Sequence, residues 1–219
     1  MLFERLLNDN AEIWEDYIHH PFVKQLGNQS LKQENFLFYI KQDYLYLIQY
    51  AKCAARLAIN ARNIQEMQFA FYIAQSIIEG ETTVHKSILT SHKLDLRTLG
   101  TQDESLTNIA YSRYLLSIGE SGDFLDLLIA LSSCAIGYAV VGRELFSSLQ
   151  NLDGHIYKDW ILSYASEDFQ NFAREYEDLV NAFTPEVTPE RFQRLSEIFG
   201  IATKLEKAFW QHALELRMD

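Results

Sequence analysis

The chain has 219 residues, 48% hydrophobic and 22% charged, a composition of folded proteins and too apolar for intrinsic disorder. Its nine glycines and three prolines fall well below the average usage of about 12%, which leaves too little turn chemistry for a many-stranded sandwich or barrel. Nineteen Lys and Arg against thirty Asp and Glu give a net charge of −11, which repels phosphate backbones and anionic lipid, so neither nucleic acid nor a membrane is an expected partner.

Along the chain, Phe3, Leu6, Leu7, Ile13, Trp14, Tyr17 and Ile18 recur at three- and four-residue spacing and predict an amphipathic helix ended by His19, His20 and Pro21. Gly27 and Asn28 open a loop. Ser30 with Gln33 reads as a capping box for a second helix, which Phe36, Tyr39, Ile40, Leu47, Ile48, Ala51, Ala55 and Ala58 carry to about residue 61. A third follows from Met67 to about Ser91, then a polar loop over Asp95 to Thr107 and a short helix around Ile109 to Ile118. Asp123 is placed to cap the next helix, whose stripe Phe124, Leu127, Leu128, Leu131, Cys134, Tyr138, Val141, Leu145 and Phe146 has apolar flanks, the pattern of a helix surrounded by others. Ile156 to Ser163 predicts a short helix, Ser166 caps another through Phe183, and Thr188 with Pro189 starts a last helix that runs to the C-terminus. The expectation is one all-α domain over residues 1–219, a bundle of seven or eight helices.

The longest uncharged run, Leu127 to Gly142, includes Ser132, Ser133 and two glycines and is short of the roughly 20 apolar residues of a bilayer span. Glu4 and Arg5 stand where a secretory signal would begin its apolar stretch, so a cytoplasmic protein is expected. Two cysteines, at 53 and 134, offer neither a disulfide framework nor zinc-finger spacing.

Several polar groups sit where apolar ones belong. Glu206 shares a stripe with Ala202, Phe209 and Ala213; a carboxyl there is paired, protonated or facing a cavity. One with a raised pKa serves as a general acid/base, and a structural carboxylate bound to a Tyr or Lys fits the same position. Asp43 with Tyr46 and Tyr50 lines one edge of the second helix, an arrangement suited either to a polar heterocycle or to ordinary core tyrosines. Cys134, with Tyr138 one turn later, reads as a buried small hydrophobe or as a nucleophile, and Cys53 as packing. Glu81 and His85 are i,i+4 neighbours, with Glu79 and His92 nearby. Such residues are raw material for a di-iron site, but the paired Glu-x-x-His repeats of a carboxylate bundle are lacking, which favours a Glu–His hydrogen bond between helices.

The ordered motifs His20-Pro21-Phe22-Val23, Gln42-Asp43-Tyr44-Leu45-Tyr46 with Tyr50-Ala51-Lys52, Glu81 with His85, Tyr111, Gly122-Asp123-Phe124, Cys134 with Tyr138, Ile156-Tyr157, Trp160-Ile161 with Tyr164, and Glu206 with Phe209-Trp210 resemble the TenA family, thiaminase II or aminopyrimidine aminohydrolase, over nearly the whole chain. The resemblance implies a haem-oxygenase-like helical fold without haem, and hydrolysis at the C5 methylene of 4-amino-2-methylpyrimidines in thiamin salvage. It implies Cys134 as nucleophile and Glu206 as acid/base group, Asp43, Tyr138 and Tyr164 around the aminopyrimidine, and Tyr46 and Tyr111 as phenols close to the thiol. The small-molecule partner is then an aminopyrimidine or thiamin, with no metal or organic cofactor, and the assembly a homotetramer. One departure stands out: many members carry an aromatic residue two positions after the cysteine, where this chain has Ile136 followed by Gly137. A di-iron oxidase using Glu81 and His85, and a non-catalytic regulatory or binding protein, are the competing readings.

Overall fold

A computed structural model describes residues 1–149 and 151–219, Arg97 by its backbone alone. Among the described residues every regular element is helical. The α-helices are α1 (Leu2–Asp9), α2 (Ala11–Ile18), α3 (Pro21–Gly27), α4 (Gln33–Asn60), α5 (Ile64–Gln75), α6 (Thr82–Ser91), α7 (Leu106–Ser121), α8 (Phe124–Ser148), α9 (Lys158–Ala165), α10 (Glu167–Ala182) and α11 (Pro189–Glu215). A π-helical turn, Ser76–Glu81, joins α5 to α6. The residues cluster in two compact units, Met1–Leu31 with Leu128–Trp210, and Lys32–Leu127 with Gln211–Asp219.

In the first unit, the single amphipathic helix expected at the N-terminus is two. Asn10 interrupts it, its Nδ2 donating to the Leu6 and Ser196 carbonyls and to Ser196 Oγ, a side chain competing with the helical backbone for its own bonds. The α1 amides, which no helical turn satisfies, donate instead to Thr184 Oγ1 (3.1 Å, from Leu2) and Asn181 Oδ1 (3.0 Å, from Phe3). Trp14 stacks on Phe199 at 5.7 Å and Phe22 on Trp210 at 4.9 Å, so α2 and α3 close over α11 with aromatic faces. The helix α3 falls on a stretch between the first helix and the Gly27–Asn28 loop for which the sequence predicts no element: Pro21 fills its first position and His20 Nδ1 accepts from the Phe22 amide, a start signal on a segment too short to show periodicity. Ser166 caps α10, accepting from the Phe169 amide, and Thr188 accepts from Arg191 at the start of α11, both as expected.

In the second unit, α4 is the organising helix. Its start is not the expected capping box: Ser30 Oγ donates to Asn28 Oδ1 at 2.6 Å, and Lys32 occupies the N-cap without a side-chain bond. The buried Gln42 donates to the Asp103 carbonyl (2.8 Å) and accepts from the Ser105 amide (3.0 Å), while Asn108 Nδ2 donates to the Gln42 carbonyl (2.8 Å) and to its Oε1 (3.1 Å). These bonds dock the start of α7 on α4, and Ser105 caps α7 by accepting from Asn108. At α11's end, Asn35 Nδ2 donates to the Ala213 and Leu214 carbonyls, both at 2.8 Å, groups that a helix terminus otherwise leaves open. In and around the π turn the hydroxyls of Ser76, Thr82 and Thr83 donate to the Ile73, Ile78 and Glu79 carbonyls, the back-bonding that accompanies a bent or widened helix.

The helix α8 is long and apolar enough to cross a membrane, yet 94% of that stretch is buried inside the fold, as its all-round apolar pattern predicts. Asp123 caps it, accepting from the Asp126 amide at 2.9 Å.

Candidate active site

Cys134, Tyr138 and Gly142 recur every four residues on α8 and share one face of it. A Cβ on Gly142 would stand 2.6 Å from the Tyr164 Cβ and 2.7 Å from its carbonyl carbon, so the backbone of α9 lies directly against α8. That approach seats the Tyr164 ring 4.9 Å from that of Tyr138, with Trp160 4.7 Å from Tyr164. The last helix, α11, meets α8 at two points: Ser133 Oγ lies 3.0 Å from Thr203 Oγ1, and the Trp210 ring 5.1 Å from that of Tyr138. Cys134 on α8 and Glu206 on α11 fall between those contacts, so thiol and carboxyl issue from the same stretch of this helix pair. Both are buried, Cys134 at 8% and Glu206 at 2% exposure.

Tyr176 of α10 donates its hydroxyl to the Leu128 carbonyl at 2.8 Å. Burial, and after it the electrostatic influence of Cys134, push its phenol well above the usual tyrosine range. Tyr17 lies against Gly137, where a Cβ would come within 2.6 Å of the phenolic oxygen, and that position accepts no side chain without moving the ring. Ile136, two residues after the thiol, is turned about 200° around α8 and lines a groove of about 590 Å³ with Trp14, Ile18, Ala139, Val140 and Arg143. The departure from the family's aromatic residue therefore faces this groove and not the Cys134 side of the helix.

In the second unit, Asp43 is buried on α4 and one of its oxygens takes two bonds: Oδ2 accepts from the Tyr39 hydroxyl at 2.7 Å and lies 2.8 Å from His85 Nε2. The other imidazole nitrogen, Nδ1, lies 2.8 Å from the Glu81 backbone carbonyl. The expected Glu–His pairing is thus corrected: His85 uses the main chain of Glu81 and spends its second nitrogen on Asp43 across the helix pair. Burial alone would lower the His85 pKa, but the hydrogen bond and charge of Asp43, with the Glu81 carbonyl, hold it above the usual histidine value. One turn after Asp43, Tyr46 stacks on Tyr111 at 4.8 Å and 26°, the pair aligned by the Gln42–Asn108 bonds a turn earlier. Tyr50 follows 5.8 Å from Tyr46. Cys53 is buried, and burial pushes its thiol up to about 12, the state of a packing cysteine.

Among the described residues no three or more His, Cys, Asp or Glu side chains converge as a metal ion would require, and both nitrogens of His85 already have partners. Gly142 and Asn108 escape sequence reasoning, and Gln42 and Trp160 enter it only as motif positions without a role. Glycine and tryptophan on a buried stripe look like packing, and a glutamine beside an aspartate looks like surface until its hub of bonds is seen.

The sequence matches the TENA/THI-4/PQQC family over residues 8–216. The chain belongs to this family. A relative from Halalkalibacterium halodurans described as an aminopyrimidine aminohydrolase is 30% identical over 219 residues, covering 100% of this chain and 98% of the relative. A Haemophilus influenzae protein described as uncharacterized is 35% identical over 215 residues, covering 98% and 100%. Among solved structures, a TenA family transcription regulator from Silicibacter sp. TM1040 superposes with a TM-score of 0.90 at 31% identity, covering 98% of this chain and 96% of that one. A domain with a haem-oxygenase-like fold from Shewanella denitrificans, 14% identical with a TM-score of 0.76, covers 98% of this chain and 92% of that one and shows the fold alone. The all-α, haem-oxygenase-like class expected of a TenA-like chain is thereby established.

Proposed function

We propose that the chain is a thiamin-salvage hydrolase that converts 4-amino-5-aminomethyl-2-methylpyrimidine to the 5-hydroxymethyl compound and ammonia, and cleaves thiamin at the same methylene, by covalent cysteine catalysis. The observation that carries this reading is the bracketing of Cys134 and Glu206 by the Ser133–Thr203 and Tyr138–Trp210 contacts. Relatives named for the aminohydrolase activity support it.

In this mechanism Glu206 takes the Cys134 proton, and the thiolate adds to C6 of the ring while the proton passes to ring N1. The substrate's aminomethyl group is an ammonium at neutral pH; the 4-amino nitrogen pushes electrons through the C4–C5 double bond and expels it as neutral ammonia, leaving an exocyclic methylene at C5. Water adds to that methylene and gives up its proton to the released ammonia, which leaves as ammonium. N1 returns its proton to Glu206 as the C6–S bond breaks, and the thiolate is restored. Direct displacement at the methylene lacks this electron push, so the covalent route replaces one hard step with easier ones. Asp43 accepts from the 4-amino group, where positive charge develops as ammonia leaves, and the tyrosines pack on the ring and its rim.

Incubation of the pure protein with the aminopyrimidine, its formylated relative and thiamin, following ammonia, hydroxymethylpyrimidine and thiazole, tests the reading and ranks the substrates. Cys134→Ser abolishes turnover with the fold intact, whereas Cys53→Ser keeps most of it. Wild-type rates from the Cys134 variant would sink the covalent mechanism.

A further inference from the structure

The bonds around His85 fix where a proton sits. A backbone carbonyl only accepts, so the 2.8 Å contact to Glu81 requires a proton on Nδ1. The 2.8 Å contact between Nε2 and Asp43 Oδ2 requires a second proton between those two atoms. Asp43 Oδ2 already accepts from the Tyr39 hydroxyl, and an oxygen receiving two donors is best served as a carboxylate. The second proton therefore resides on the imidazole, and the buried pair is an imidazolium held on a carboxylate. The groups acting on the imidazole are Asp43 from α4, itself bonded by Tyr39, and Glu81 from the π turn, through its carbonyl and its charge.

We propose that His85 is the positioning residue for Asp43: with Tyr39 it saturates and fixes Oδ2, so that Oδ1 is the acceptor offered to the exocyclic amino group of a 4-aminopyrimidine. The ligand half rests on the role given to Asp43 above; the proton arrangement does not. An aspartate on a helix has two side-chain torsions to lose on binding, and a carboxylate already pinned at one oxygen meets its ligand with that cost removed. The raised His85 pKa, which burial by itself would lower, agrees with the geometry. The role differs from catalysis: His85 touches the carboxylate and not the ring, so its effect passes through the orientation and charge of Asp43.

Full-length protein labelled with ¹⁵N-histidine tests the arrangement without any turnover. The His85 ring signals are assigned by their loss in His85→Gln. Both nitrogens protonated at pH 7.5 in the wild type, with Nε2 losing its proton in Asp43→Asn, is the expected result; an unprotonated Nε2 in the wild type would overturn the proposal. For the ligand half, equilibrium binding of 4-amino-5-hydroxymethyl-2-methylpyrimidine is compared across variants that melt cooperatively. His85→Leu, which offers Asp43 no donor, weakens binding by about 10- to 100-fold. His85→Gln, whose amide still donates, recovers most of that loss. Equal affinities for the Leu and Gln variants, or no loss in either, would reduce His85 to a structural residue and overturn the proposal. A wild type that neither binds nor hydrolyses the aminopyrimidine refutes the proposed function and the ligand half together, and the imidazole signals still decide the proton arrangement by themselves.

Discussion

Replacing Gly142 with alanine separates a positional glycine from an incidental one. A glycine within a helix costs about 1 kcal/mol relative to alanine, so substitution on an open helix face stabilises. At 142 the added Cβ would meet Tyr164 Cβ at 2.6 Å, its carbonyl carbon at 2.7 Å and its carbonyl oxygen at 2.9 Å, about 1 Å inside ordinary van der Waals contact. Two of those atoms are backbone, so α9 itself must move. Overpacking of this kind costs about 1–3 kcal/mol; set against the helix gain, the net loss is up to about 2 kcal/mol, or up to roughly 8 °C of melting temperature for a chain of this size. Activity falls further, by about 10²-fold, because Tyr164 shifts by about 1 Å from Tyr138 and a bound ring loses its seat. Gly80→Ala is the control, since nothing lies within 4 Å of a Cβ there, and it keeps both stability and activity. Thermal melts and kcat/KM for the two variants decide the matter: identical behaviour of Gly142→Ala and Gly80→Ala would refute the claim that close approach at 142 places Tyr164.

Three further outcomes are expected. Glu206→Gln keeps the shape and removes the proton, cutting the chemical step by about 10²-fold with a smaller effect on ligand affinity; equal losses in initial rate and calorimetric affinity would make Glu206 a binding residue. Cys53, its thiol pushed up to about 12, is protonated at pH 8 and stays unlabelled by iodoacetamide in the folded protein, reacting only after denaturation; mass spectrometry of Cys53 adducts under native conditions would contradict this. The assembly is expected to be a symmetric tetramer whose contacts tolerate salt, because a chain of −11 with 29 aromatic residues associates best through uncharged faces, and a 25.5 kDa monomer by light scattering at low and high ionic strength would refute it.

The sequence shows the long helices clearly and the joints poorly. Periodicity needs two or more turns to register, so α4, α8 and α11 are legible while α3, seven residues long, is not. The division at Asn10 depends on Ser196, distant in the chain, and no local pattern encodes it. Ser30 and Gln33 match a capping signature, but the nearer Asn28 takes the hydroxyl. Among candidate site residues, helical spacing puts Cys134 and Tyr138 on one face and an interrupted apolar stripe singles out Glu206, but spacing leaves a packing reading open for each, and only the family resemblance gives them roles. The link from His85 to Asp43 is not: a histidine four residues after a glutamate suggests a side-chain pair, whereas the structure uses the glutamate's main chain and a carboxylate 42 positions earlier.

The turn over Ser76–Glu81 has a consequence for how α6 is clocked. A π-helical turn holds one residue more than an α-helical path, and each residue of an α-helix advances the side chains by about 100°. Everything after the turn therefore emerges rotated relative to what an uninterrupted helix from Ile64 would present, and it is in that rotated phase that His85 meets Asp43. Deleting Gly80, which has open space around it, would remove no packing, yet it would swing the imidazole about a quarter-turn away from the carboxylate. The main chain thus stores an angular offset, and the number of residues in this segment matters more to the pair than their identity.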